Sequence, residues 1–138
     1  MAFDQTLTTS FKKDILLGVH DLETDTIKMA LFLATADLGA GTTVYTTAGE
    51  TSGTGYVAGG ETLTSVTVLT SGTTAYVDFA DPSWNPASFT ARGALIYNAS
   101  KSNKAIAVLD FGSDKTATTT FTVQMPANTA TSALIRIS

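Results

Sequence analysis

From Asp25 onward the apolar residues recur at alternate positions, in short runs punctuated by Gly, Pro, Asn and Ser. No stretch between those runs carries the 3.6-residue period of a helix. Strands without intervening helices cannot build a doubly wound parallel sheet, whose crossovers are helical. The pattern therefore predicts an all-β chain of seven or eight antiparallel strands. Its natural arrangement is a jelly-roll-like β-sandwich preceded by a short N-terminal α-helix. At 138 residues the chain suits one domain with an appended arm.

Ile27, Met29, Leu31 and Leu33 open the strand series, polar at its start and apolar on both faces further along. Predicted strands follow at Thr62–Leu69, Thr73–Phe79, Ser88–Tyr97, Ala105–Phe111, Thr118–Met125 and Ala133–Ile137. Turn signals lie between them at Ser71-Gly72, at Asp81 to Pro86 and at Asn98 to Asn103. Two strand ends, Ala94–Tyr97 and Ala105–Phe111, are apolar at consecutive positions. That predicts central strands covered on both faces and joined as a hairpin by the polar loop between them.

Residues 1–24 read differently from the β domain at 25–138. Thr9 or Ser10 can cap a helix, and Phe11, Ile15, Val19 and Leu22 follow at spacings of 4, 4 and 3. This predicts a helix of about three turns with one apolar stripe. A helix so short is marginal alone in water, so the stripe must dock, on the chain's own sheet or on another subunit. The segment from Leu38 to Gly60 holds seven glycines in 23 residues, which predicts a loop with at most a short strand near Thr43–Thr46. Loops of that length usually have a job, and here it could be contact with a neighbour.

Only 14% of the residues are charged, against about 25% in an average soluble domain. Thr takes their place, with 26 copies. A surface of Thr, Ser and Ala is cheaper to desolvate than one of Lys and Glu, which suits packing against other subunits, although β propensity accounts for the Thr equally well. A net charge of −4 with eight scattered cations argues against a nucleic-acid groove. No apolar run approaches the roughly 20 residues of a membrane span. The opening Met-Ala-Phe-Asp-Gln-Thr lacks a basic region followed by an apolar one, so no Sec-type signal is expected.

Catalytic side chains are sparse. There is no Cys, one His and no Gly-x-Ser-x-Gly elbow. His20 is expected on the surface at the helix C-terminus, where the helix dipole favours it when protonated. Asp110-Phe111-Gly112 matches a kinase tripeptide, and Gly53-Thr54-Gly55-Tyr56-Val57-Ala58 resembles a dinucleotide fingerprint; both lack the surrounding elements those chemistries need. Asp78, Asp81, Asp110 and Asp114 flank strand ends and could converge on a hard cation, but without a recognised ligand spacing. Asp at turns also bonds its own backbone. No cofactor, metal or catalytic residue is expected. Trp84, between Pro82 and Pro86, either caps one end of the sandwich or anchors an interface.

Several segments in combination resemble a family of small structural proteins of tailed bacteriophages, including phages of aquatic bacteria. They are Phe11-Lys12-Lys13-Asp14-Ile15-Leu16, Ser52-Gly53-Thr54-Gly55-Tyr56 with Ala58-Gly59-Gly60, and Ala91-Arg92-Gly93-Ala94-Leu95-Ile96-Tyr97-Asn98. Ala107-Val108-Leu109-Asp110-Phe111-Gly112 and the ending Ile135-Arg136-Ile137 complete the set. The resemblance spans nearly the whole chain and carries no chemical signature. It implies a virion component without enzymatic activity, made in the host cytoplasm.

That implication is compatible with a capsid decoration or cement protein bound to the major capsid protein, as a homo-oligomer with a trimer favoured. Each contact of such a trimer would bury about 1,200–2,000 Å². A neck, tail or fibre-attachment component is the alternative within the virion. An alternative of another class is a carbohydrate-binding module that helps the phage adhere to its host, with Tyr45, Tyr56, Tyr76 and Trp84 as its candidate aromatics. The expected interface residues are Phe11, Ile15, Val19, Gly53, Gly55, Tyr56 and Trp84.

Overall fold

A computed structural model describes residues 5–137; the first four residues of the predicted arm lie outside that range. The chain is β-rich, with antiparallel sheets and one short helix. Its strands in chain order are β1 (Thr6–Leu7), β2 (Ile27–Phe32), β3 (Glu61–Thr62), β4 (Thr67–Ser71), β5 (Thr74–Asp78), β6 (Ser83–Trp84), β7 (Phe89–Asn98), β8 (Lys104–Ala117), β9 (Phe121–Thr122) and β10 (Ile135–Ile137). The helix α1 (Thr9–Leu16) lies between β1 and β2. A five-stranded sheet runs β1-β8-β7-β2-β3, a three-stranded sheet runs β10-β5-β4, and β6 pairs with β9.

The β7–β8 hairpin is the centre of the larger sheet. Its ladder breaks register between Ile96 and Tyr97, which pair with Ala107 and Ala105, so Ile106 is the extra residue of a bulge. The bulge puts Ile106 and Ala107 in one core while Ala105 and Val108 join the other. On the first face Ile27, Met29, Leu31, Ala94 and Ile96 meet Phe11 of α1, Val77 and Ile135 of the smaller sheet, and Trp84, Phe89 and Phe121. On the second face Ala30, Phe32, Leu95 and Tyr97 meet Ala36, Leu38 and Tyr45. Burial on both faces is why these strands are apolar at consecutive positions.

The second face is thus covered by the long Gly-rich segment, and not by a sheet. In place of the strand expected at Thr43–Thr46 there is one isolated bridge, Val44 to Lys104. Further along, this segment completes the outer edge of β2. Leu33 N–H donates to Gly49 O, Thr51 N–H donates to Leu31 O, and Leu31 N–H donates to the Tyr56 hydroxyl. Those bonds satisfy backbone groups that a neighbouring strand would otherwise have to meet.

Three sequence expectations need correction. The helix is two turns, not three, and its N-cap is Thr8, whose hydroxyl accepts from Phe11 N–H. Gly18 takes φ +71°, and the N–H groups of Gly18 and Val19 return to the carbonyls of Ile15 and Asp14. This is a Schellman stop, so Val19 and Leu22 lie beyond the helix. The strand expected over Thr62–Leu69 is split into β3 and β4, with Ser65 at φ 54° between them. The strand expected over Thr118–Met125 shrinks to Phe121–Thr122.

Candidate functional site

α1 docks on the chain's own sheet through Phe11, which is 2% exposed. Between the end of this helix and the smaller sheet runs a groove of about 410 Å³, walled by Phe11, Ile15, Val68, Tyr76, Ile135 and Ile137. The β4–β5 and β5–β10 registers place Val68 opposite Val77, and Val77 opposite Ile135. One face of the smaller sheet therefore presents Val68, Ala75, Val77, Ile135 and Ile137 together. Val77 and Ile135 are buried, whereas Val68 and Ile137 remain 45% and 56% exposed. Leu16 and Leu17, between the groove-lining Ile15 and Gly18, are 87% and 66% exposed. Val68 and Ile137, exposed apolar residues lining one groove, mark a contact surface more than a chemical one.

At one wall of the groove, which His20 and Asp21 help to line, stands a polar cluster that sequence reasoning missed. His20 lies past the helix end with its side chain fully covered, not on the surface as expected. Its ring lies 5.1 Å from that of Phe11. Asn98 Nδ2 donates to His20 Nδ1 at 3.0 Å and to Asp25 Oδ2 at 2.8 Å. Because Asn98 donates, Nδ1 must accept, so the ring is neutral with its proton on Nε2. Nε2 lies 4.0 Å from the Asp14 carboxylate and has no hydrogen-bond partner. Burial pushes the His20 pKa down, against the pull of Asp14 and Asp25.

Asp25 also accepts from Lys101 Nζ at 2.9 Å and from Asp21 N–H at 3.0 Å. Desolvation is the largest single influence on its carboxyl and pushes the pKa up. The bonds from Asn98, Asp21 and Lys101 together outweigh it and hold the group at about 2. The cluster ties the 20–26 turn to the β7–β8 loop.

The expected interface residues fall into two groups. Phe11 and Ile15 line the groove, Phe11 as core and Ile15 half-buried, while Val19 has left the helix. Gly53, Gly55, Tyr56 and Trp84 gather at another place, around the 85–89 segment. A Cβ on Gly55, at φ +87°, would overlap the Pro86 carbonyl, and one on Gly53 would approach Ser88 O to 2.6 Å. Both glycines thus let this loop pack on its own chain. Trp84 is 2% exposed and contacts the rings of Tyr56, Phe89 and Phe121. Its indole is part of the core and presents no surface to a partner.

The aromatics proposed for a glycan platform are likewise engaged. Tyr45 stacks on Tyr97 and donates to Glu50 Oε1, and Tyr56 donates to Glu50 Oε2. Tyr76 alone of the four lines the groove. Asp78 Oδ1 accepts from Phe79 N–H, Asp81 from Met125 N–H, and Asp110 from Gly112 N–H and Arg92. Among the described residues no three His, Asp or Glu side chains gather as a metal site. No helix among them is long and apolar enough to cross a membrane. Comparison with family models, curated protein sequences and solved structures returns no match.

Proposed function

We propose that this chain is a non-enzymatic structural subunit of a tailed-bacteriophage virion, located on the capsid as a decoration or cement protein. One observation carries the reading: Val68 of β4 and Ile137 of β10, both substantially exposed, line one largely apolar groove with Phe11, Ile15 and Ile135, and Asp21 is its one acidic lining residue. Such a surface suits a subunit that gains stability by packing on a lattice of other subunits. The resemblance of its sequence segments to small phage structural proteins points the same way. In this reading the three sheets form a jelly-roll-like sandwich thickened on one side by the Gly-rich loop. Several modest contacts on one rigid shell act as a linked set, so attachment to the assembled head exceeds attachment to free capsid protein.

Quantitative mass spectrometry of purified virions tests this. A ratio of roughly one-third to one copy per major capsid protein is expected of a shell component. About 3 to 12 copies per particle would move the chain to the neck, tail or fibre base. Absence from the particle would overturn the virion reading altogether.

A further inference from the structure

β4 is the outermost strand of the smaller sheet, and all five of its residues are exposed. It ends in a two-residue turn, Gly72-Thr73, with Gly72 at φ 60°. In such a hairpin the closing pair, here Ser71 and Thr74, exchanges both backbone bonds. Alternation from that pair turns the N–H and C=O of Val68 and Thr70 away from β5. Neither residue has a backbone hydrogen bond to any other part of the described chain.

Natural edges are blunted by brevity, charge or proline. The other edges here follow that rule. β1 and β3 have two residues each, β3 carries Glu61, and β10 has three residues with Arg136 at its centre. β4 has none of these devices. Thr67-Val68-Leu69-Thr70-Ser71 is uncharged and rich in β-branched residues. A strand left open in this way is complementary to itself, because no like charges oppose one another across a two-fold axis.

We propose that β4 pairs antiparallel with β4 of a second copy of this chain, about a two-fold axis at Leu69. The pairing makes one six-stranded sheet, β10-β5-β4 continued by its symmetry mate. Val68 then faces Thr70 of the second copy, and the outward N–H and C=O of each bond reciprocally across the axis. Leu69 faces its own equivalent as a non-hydrogen-bonded pair, with Cα atoms about 4.5 Å apart. Val68, Ile137 and the groove stay on one face of the joined sheet. A three-fold arrangement would need a different contact, β4 on β10, with Arg136 in the middle of the mating edge. A five-residue ribbon is a small interface, so the dimer is weak and concentration-dependent. The proposal stands on strand geometry and does not depend on a place in a virion.

The chain has no cysteine, so a single Leu69→Cys substitution tests the axis directly. At about 100 µM, a concentration suited to a weak interface, mild oxidation is expected to convert most of L69C to disulfide-linked dimer, since the predicted Cα separation permits that bond. T67C, whose predicted partner is Ser71 of the second copy, is expected to cross-link at least tenfold more slowly. By sedimentation, the unmodified chain is expected to dimerise at that concentration. L69K and L69E are each expected to be monomeric with unchanged circular dichroism, and their 1:1 mixture to recover the dimer. A monomeric native chain, a trimer, or equal cross-linking of L69C and T67C would overturn the pairing.

Discussion

The phenol of Tyr56 donates a 2.6 Å hydrogen bond to Glu50 Oε2 while its oxygen accepts from Leu31 N–H at 2.9 Å. One side chain thereby joins the Gly-rich loop to the edge of the central sheet. Glu50 also accepts from the Tyr45 hydroxyl at 2.7 Å and from Gly59 N–H at 2.8 Å. Tyr97 completes the clamp by donating to Gly59 O at 2.6 Å. The loop that covers the second face of the sheet is held by this carboxylate and three phenols.

Glu50→Ala leaves those donors without an acceptor in a half-buried setting. A loss of about 2–4 kcal/mol is expected, since bonds to charged groups are stronger than neutral ones. Urea denaturation at neutral pH reads it. Tyr56→Phe should cost about half as much, because Leu31 N–H also loses its partner. A Glu50→Ala variant as stable as the native chain would show that the loop does not depend on the clamp.

The same clamp sets alkaline behaviour. Burial pushes the phenols of Tyr45 and Tyr56 above their ordinary range, reinforced by the bonds to Glu50, and burial with the Glu50 charge pushes Tyr97 up to about 12. A folded-state pKa raised in this way contributes stability in full below the unfolded value of about 10. That stability is lost as pH rises from there through the folded values. Unfolding free energy should therefore fall steadily between pH 10 and 12, and the Tyr45→Phe, Tyr56→Phe double variant should show a shallower slope. Parallel slopes in the two proteins would remove these phenols from the account.

Trp84 tests the core against the interface. With its indole packed on Tyr56, Phe89 and Phe121, truncation to Ala should cost about 3–5 kcal/mol in the isolated chain. The emission of this single Trp should already be blue-shifted in the free protein and should not move on assembly. A red-shifted spectrum that turns blue on binding would return Trp84 to the interface.

What the sequence discloses, and what it hides, follows from how local each determinant is. The β7–β8 hairpin is legible because strands buried on both faces must be apolar at consecutive positions, as at Ala94–Tyr97. The helix is legible at its start but over-extended. Val19 and Leu22 continue the apolar spacing from outside the helix, Leu22 because it packs against the same core, while Gly18 ends the helix, a stop signal visible two residues past Leu16. The break at Ser65 has no local sign, since β-branched residues run on through it. Glu50 and His20 are illegible for another reason. Glu50 is defined by partners on two tyrosines and a glycine, and His20 by Asn98, 78 positions away. Nothing in the flanking residues of His20 distinguishes a buried ring from an exposed one.

His20 gives the pH dependence on the acid side. Its neutral ring accepts from Asn98, so protonation would place a second proton between two donors and bury a charge beside Phe11. Its folded pKa is lowered below the ordinary 6.5, chiefly by burial. A depressed value contributes stability that is present above pH 6.5 and lost as pH falls through the folded pKa. Asp25, held at about 2, adds a separate loss at lower pH, between its ordinary 3.8 and about 2. Two acid steps are therefore expected in urea denaturation across the pH range. His20→Leu should remove the upper step and leave the lower one. Asp25→Asn should shrink the lower step, to which the likewise lowered Asp21 and Asp110 also contribute, and lower stability at neutral pH, because Lys101 then loses its carboxylate. If His20→Leu and the native chain lose stability in parallel as pH falls below 6.5, the step belongs to another group.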